Sequence, residues 1–148
     1  MRRQPAQALV WFTLALPLFL SVGGLAIDGA LALTARRELQ SVADGAARAG
    51  ATRLDHALLR ASGGRQVQID IPHAYGATHA YLDERLPRER QLSFEVKREV
   101  DVRPAWVRVA LETSMPTAFL RIVHIDSVSI GASGLANAES GIRAAGDR

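Results

Sequence analysis

Between Arg3 and Asp28 the chain carries no charged residue, and Ala6 to Ile27 is an uninterrupted uncharged run of 22 residues. As a helix that run is about 33 Å long, against a hydrocarbon core of roughly 30 Å. Eleven of its residues are Leu, Val, Phe or Ile. At roughly −0.3 to −0.6 kcal/mol each they favour insertion by about 3–7 kcal/mol, before Gln7, Thr13, Pro17 and the glycines subtract their share. No residue there brings the roughly 2.5–3.5 kcal/mol cost of a central charge. Trp11 lies one turn in, at the depth of an interfacial aromatic. These features predict a transmembrane helix over residues 6–27 behind a short tail, residues 1–5. A cleavable signal peptide is the competing reading. Arg2 and Arg3 would be its basic start, Leu9–Val22 its apolar core, and small-residue sites precede Ile27 and Leu33. The run exceeds a usual signal core, and the helical pattern continues beyond it.

Arg2 and Arg3 adjoin the run directly, whereas Arg36 and Arg37 follow well past its other end. Long domains translocate largely regardless of charge, so the short basic tail decides the orientation. The N-terminus is expected in the cytoplasm and residues 28–148 outside it. The chain has no cysteine, which excludes disulfides and thiolate chemistry. The net charge is +3, and basic residues are interleaved with acids, as in Asp83-Glu84-Arg85 and Arg88-Glu89-Arg90. That reads as a solvated mixed surface, not a nucleic-acid footprint.

Beyond Ile27 a helical period persists through Leu31, Ala35, Leu39, Val42, Ala46, Ala49, Ala57 and Ala61. Asp44 and Arg48 stand four apart and can pair. The first strong stop is Ser62-Gly63-Gly64. The prediction is one long helix, or two in line with a kink at Pro17 or Gly23-Gly24, continuing through residues 28–62. Its projecting face is small: Ala43, Ala46, Ala47, Ala49, Gly50 and Ala51. Small residues admit another backbone, either the chain's own sheet or a neighbouring subunit's helix.

Residues 63–138 read as a small α+β domain, and residues 139–148 as a flexible tail. Gln66–Ile71 alternates like a short strand, and His73–Leu86 reads as a helix ending at Pro87. Alternation from Leu92 to Val102 and from Ala105 to Leu111 predicts an antiparallel pair around Arg103-Pro104. Arg98 interrupts the apolar side. Ser114 is placed to cap a helix around Pro116–Val123, and Val128–Ala136 suggests a last strand. The fold class is therefore α+β, a long N-terminal helix packed on a small antiparallel sheet.

No reactive constellation emerges. His73 and His79 are six apart, about 240° round a helix, where a metal pair needs three or four. His124, Asp126, Ser127 and Ser129 alternate sides on a strand and form no local relay. Glu95, Glu99, Asp101 and Glu112 alternate with Lys97, Arg103 and Arg108, as cross-strand pairs on a wet face would. No enzymatic activity, metal or cofactor is expected.

Several short stretches resemble the TadE/TadG-like group of Tad-type (tight adherence) Flp pilus-assembly proteins. They are Arg2-Arg3, Gln7-Ala8-Leu9, Pro17 and the exit Gly24-Leu25-Ala26-Ile27-Asp28. Arg36-Arg37, Leu39-Gln40, Ala43-Asp44-Gly45-Ala46-Ala47 and Ala49-Gly50-Ala51 follow in the family's order. The family-motif residues are Asp28, Leu39, Gln40, Ala43, Asp44, Ala46, Ala47 and Gly50. Gly45 and Arg48 depart from the family pattern, which has Ala and an apolar residue there. No glycine is followed five residues later by glutamate at the start of the run, so type IV prepilin processing is not expected. The resemblance is looser beyond residue 51: Val107-Arg108-Val109, Met115-Pro116, Phe119-Leu120 and an alanine-tinted last strand.

The resemblance implies a pseudopilin-like fold at the bacterial inner membrane, single-pass. It implies a structural role in a pilus or secretion apparatus. The partners it implies are the lipid bilayer and other pilus-assembly membrane proteins or pilins, in a homo- or hetero-oligomer. The alternative is a membrane-tethered or secreted extracytoplasmic binding module.

Overall fold

The structure, a computed structural model, describes residues 4–86 and 95–138. Three helices, a three-stranded antiparallel sheet and one 3-10 turn make an α+β arrangement, as the sequence predicts. Helix α1 spans Gln4–Ala51 and runs through Pro17. Proline cannot donate to the carbonyl four residues back. Nearby hydroxyls fold back onto the same helix: Thr13 donates to the Leu9 carbonyl and Ser21 to that of Pro17, each at 2.8 Å. Such bonds hide polar groups along an apolar stretch.

The predicted helix to Ala61 ends ten residues early. After Ala51 the chain turns, and Leu54 pairs with Ile69 in an isolated antiparallel bridge. Asp55 then starts a separate six-residue helix, α2 (His56–Ala61), by accepting from the Ala57 and Leu58 amides. An Asp that caps a new helix start cannot also sit inside the old one. Ala57 and Ala61, assigned to the helix's packed face by spacing, are exposed in consequence. The glycine stop does hold: Gly63 and Gly64 have φ of 61° and 82°, in the left-handed region.

The strand expected over Gln66–Ile71 reduces to that single bridge at Ile69. Asp70 caps helix α3 (Ile71–Arg85), accepting from the His73 amide, with Pro72 in the first turn where its missing N–H costs nothing. Leu86 is extended at ψ 115°, as a residue before proline should be.

Strands β1 (Lys97–Val102), β2 (Trp106–Pro116) and β3 (Ser127–Asn137) are joined in the order β1-β2-β3. Val100 faces Val109, and Val102 faces Val107. The part of the first strand expected at Leu92 and Phe94 lies outside the described residues. Val107, Val109, Leu111 and Ile130 are buried on the inner face. Against it lie α1, mostly along β3, and α3 on α1's flank, so two helices cover one side of the sheet. Arg98, the interruption of the apolar side, reaches the Asp83 carboxylate of α3 at 2.6 Å. Its guanidinium is therefore paired at the rim of the core. On the outer face Arg103 pairs with Asp101 at 2.9 Å, two residues away on the same chain segment, and not across strands.

Candidate functional site: the helix exit and its clasp

The packed stripe of α1 is Gly24, Asp28, Ala32, Ala35, Leu39, Ala43, Ala46 and Gly50, with spacings of four, four, three, four, four, three and four. This stripe shares Ala35, Leu39 and Ala46 with the spacing-based face but takes Ala32, Ala43 and Gly50 in place of Leu31, Val42 and Ala49, and Leu31 is about half exposed. Residue size sets the difference, because the stripe follows the positions where neighbours come closest to the helix backbone.

Two contacts make this explicit. A Cβ at Gly134 of β3 would lie 2.5 Å from the Ala43 carbonyl carbon and oxygen, so strand backbone rests on helix backbone. At Gly50 an added Cβ would meet Ala74 of α3 and Val107 of β2, each at 3.3 Å, and would overlap the Thr78 hydroxyl. Ala43, Ala46 and Ala47 are fully buried. Between the two uses of the small face, the structure selects the chain's own sheet and α3. A neighbouring subunit's helix has no room there. The motif residues Leu39, Ala43, Ala46, Ala47 and Gly50 thus hold this domain to its helix. Gln40 closes the same seam, donating to the Ser133 carbonyl at 2.9 Å and to Asp44 at 3.1 Å. Among the described residues Asp44 takes that bond, and no ion pair to Arg48 forms.

Asp28 stands apart, three turns (about 16 Å) before Leu39 along the helix. It is the first charge after the uncharged run, yet it is only 3% exposed. The chain crosses over it at the β2–β3 connection, residues 117–126. One carboxylate oxygen accepts from the Ala118 amide at 2.9 Å; the other accepts from Phe119 at 2.9 Å and Leu120 at 2.7 Å. The Leu120 amide most of all holds the carboxyl below its ordinary range, burial opposes this, and the Ala118 and Phe119 amides assist. The sequence placed a helix capped by Ser114 here. Instead Ser114 lies inside β2 opposite Ser129, and only a 3-10 turn, Leu120–Val123, forms. Its start is satisfied by a carboxylate some ninety residues earlier.

The rest of the connection is folded back on itself. The Thr117 hydroxyl donates to the Ile125 carbonyl, and the Thr117 amide to Asp126 at 3.0 Å. His124 ends the 3-10 turn in the left-handed conformation, φ 64°. The Phe119 side chain lies directly on Gly24, where an added Cβ would come within 2.4 Å of it. Sequence reasoning singled out Asp28 and Gly24 within the exit motif. It did not see that Phe119 and three amides close over them, because no local spacing links residue 28 to residue 118.

His73 Nδ1 lies 2.8 Å from Asp70, which this bond, more than the His73 amide, holds below the ordinary carboxylate range, with burial opposing and His73's charge a smaller help. His79 stacks on Tyr75 with ring centroids 4.3 Å apart. No group of three His, Asp or Glu that could hold a metal gathers among the described residues.

Residues 6–53 match the family model described as "Putative Flp pilus-assembly TadE/G-like". Neither a curated protein nor a solved structure matches the chain. The matched region is α1 with the two residues that follow it, and it contains Asp28 and the whole packed stripe. Over residues 6–53, the helix on which the small domain is built, the chain is therefore similar to the TadE/G-like pilus-assembly family.

Proposed function

We propose that the protein is a membrane-anchored structural component of a Tad/Flp-type pilus or secretion apparatus, acting by protein–protein contact. Residues 6–27 span the bacterial inner membrane, the N-terminus lies in the cytoplasm, and the domain stands outside. The observation that carries the reading is the first half of α1. Leu9, Trp11, Phe12, Leu14, Leu18, Phe19 and Leu20 are all more than 60% exposed, although α1 is long and apolar enough to cross a membrane. Bulky apolar side chains facing every direction need a solvent other than water. The pilus-assembly family match over the same residues supports the role.

The domain is too well packed along the small face for helix exchange there. Its working surfaces are those left uncovered: the far side of α1, with Arg37, Ser41 and Arg48, and the outer sheet face, with Arg108 and Leu135. Removing the chain should abolish piliation. Cross-linking from a cysteine placed at Ser41 should capture other pilus-assembly membrane proteins. Normal pili in its absence, with no such capture, would sink the proposal.

A further inference from the structure

We infer that the connection of residues 117–126 is a second, shallow membrane contact, placing Phe119, Ile122 and Ile125 in the headgroup–acyl boundary beside α1's exit. The inference rests on α1 spanning the membrane as proposed above.

Position is the first argument. Phe119 lies on Gly24, four residues (about 6 Å) to the lipid side of Asp28. If the uncharged run occupies hydrocarbon, that side chain cannot be in bulk water. Asp28 pins the connection at this height through its three amide bonds.

Chemistry is the second. Ile122 is 76% exposed, Ile125 45% and Phe119 39%, three large apolar residues within seven, continuous with the exposed apolar surface of α1. Elsewhere among the described residues of the domain, Ile71 and Tyr75 on α3 form a smaller exposed pair and Leu135 stands alone on the outer sheet face. Arg121 and His124 alternate with them and are exposed. An apolar tip interleaved with long or ring-bearing basic side chains suits acyl chains below and phosphates beside.

The backbone is the third. Non-helical chain is tolerated near hydrocarbon only where its polar groups are satisfied internally. Between Thr117 and Ile125, the amides of residues 118, 119 and 120 go to Asp28. Those of Thr117, Ile122, His124 and Ile125 go to carbonyls of the same connection at 3.0–3.1 Å. Seven amides of the connection thus meet that requirement.

The test uses the full chain in lipid nanodiscs containing phosphatidylglycerol. Its lack of native cysteine permits single labels at Leu16→Cys, Ile122→Cys and Leu135→Cys. A bimane at each is quenched in turn by aqueous iodide and by a lipid carrying a nitroxide high on its acyl chain. The lipid nitroxide should quench the label at 122 several-fold more than that at 135, and iodide should reverse the order. Asp28→Ala should release the connection, cutting lipid quenching at 122 while leaving it at 16 unchanged. If 16 is quenched by lipid but 122 is as open to iodide as 135, the shallow contact is wrong and the span stands. If 122 is shielded from both quenchers, protein covers it and the inference again falls. If 16 escapes the lipid nitroxide, the span itself is wrong and both fall.

Discussion

The two halves of α1 are one continuous helix with opposite side-chain economies. Before Asp28 its surface is Leu, Phe, Val and Trp, exposed along its length and met by Phe119 at Gly24. After Asp28 the stripe that meets the rest of the molecule is mainly Ala and Gly, and it is buried. Both halves present an apolar helix surface, yet the physics differs. Lipid accepts any bulky apolar side chain and asks for no complementarity. Protein packed on protein at backbone distance gains dispersion only if the side chains between are small. On the proposed reading, large residues mark the half in the fluid solvent, and small ones the half in the fixed one.

The comparison is broken most sharply by truncating a leucine on each side. Leu82 of α3 is fully buried against the packed half, so Leu82→Ala should cost about 2–5 kcal/mol by thermal unfolding in detergent. Leu18→Ala, in the exposed half, should leave domain unfolding unchanged. Equal losses would mean that the first half also packs on protein.

Glycines give a smaller but cleaner contrast. Gly134→Ala drives a Cβ into the α1 backbone at Ala43, where no side chain can yield. The expected loss is about 1–3 kcal/mol. Gly29→Ala, with nothing within 4 Å of the added carbon, should be neutral or slightly stabilising, since alanine is the better helix former by about 1 kcal/mol. Circular dichroism melts of the two variants decide it.

Asp28 sits on the boundary, and its effect is local. Because its carboxyl is held low in the closed clasp, the opened state binds more protons in the acid range. The stabilisation it gives is full above the free carboxylate value near 4 (about 3.9) and is lost as pH falls through the depressed one. A spin label at Ile122 should therefore keep constant mobility from neutral pH down to that range, and then loosen. In Asp28→Asn the label should be mobile throughout, without this acid transition.

A change in the opposite direction is expected at Thr78. Its fully buried hydroxyl, packed against Gly50, has no hydrogen-bond partner among the described residues. An unsatisfied buried hydroxyl costs about 1–3 kcal/mol. Thr78→Val, nearly the same shape, should raise the melting temperature modestly; a lowered one would reveal a partner for the hydroxyl.

What could be read from the sequence follows the same division. The uncharged run and its length are properties of consecutive residues, and so is the alternation that gives β1, β2 and β3. Leu39 to Gly50 were legible as a face because small residues recur at helical spacing. The end of α1 at Ala51 was not, since it depends on Leu54 pairing with Ile69 and on Asp55 starting afresh. The capping role was assigned to nearby Ser114, while the group that performs it is Asp28. Long-range closure of this kind leaves no periodic signal in either segment.

The central claim, that lipid surrounds α1 up to Asp28 and the domain stands beyond it, is tested most directly by membrane-impermeant maleimide on single cysteines. In intact spheroplasts Leu135→Cys should react, Gln4→Cys should react only after lysis, and the chain should stay in the carbonate-washed membrane pellet. An intact chain beginning at Met1 in the soluble fraction, or reactivity at residue 4 with protection at 135, would contradict the account.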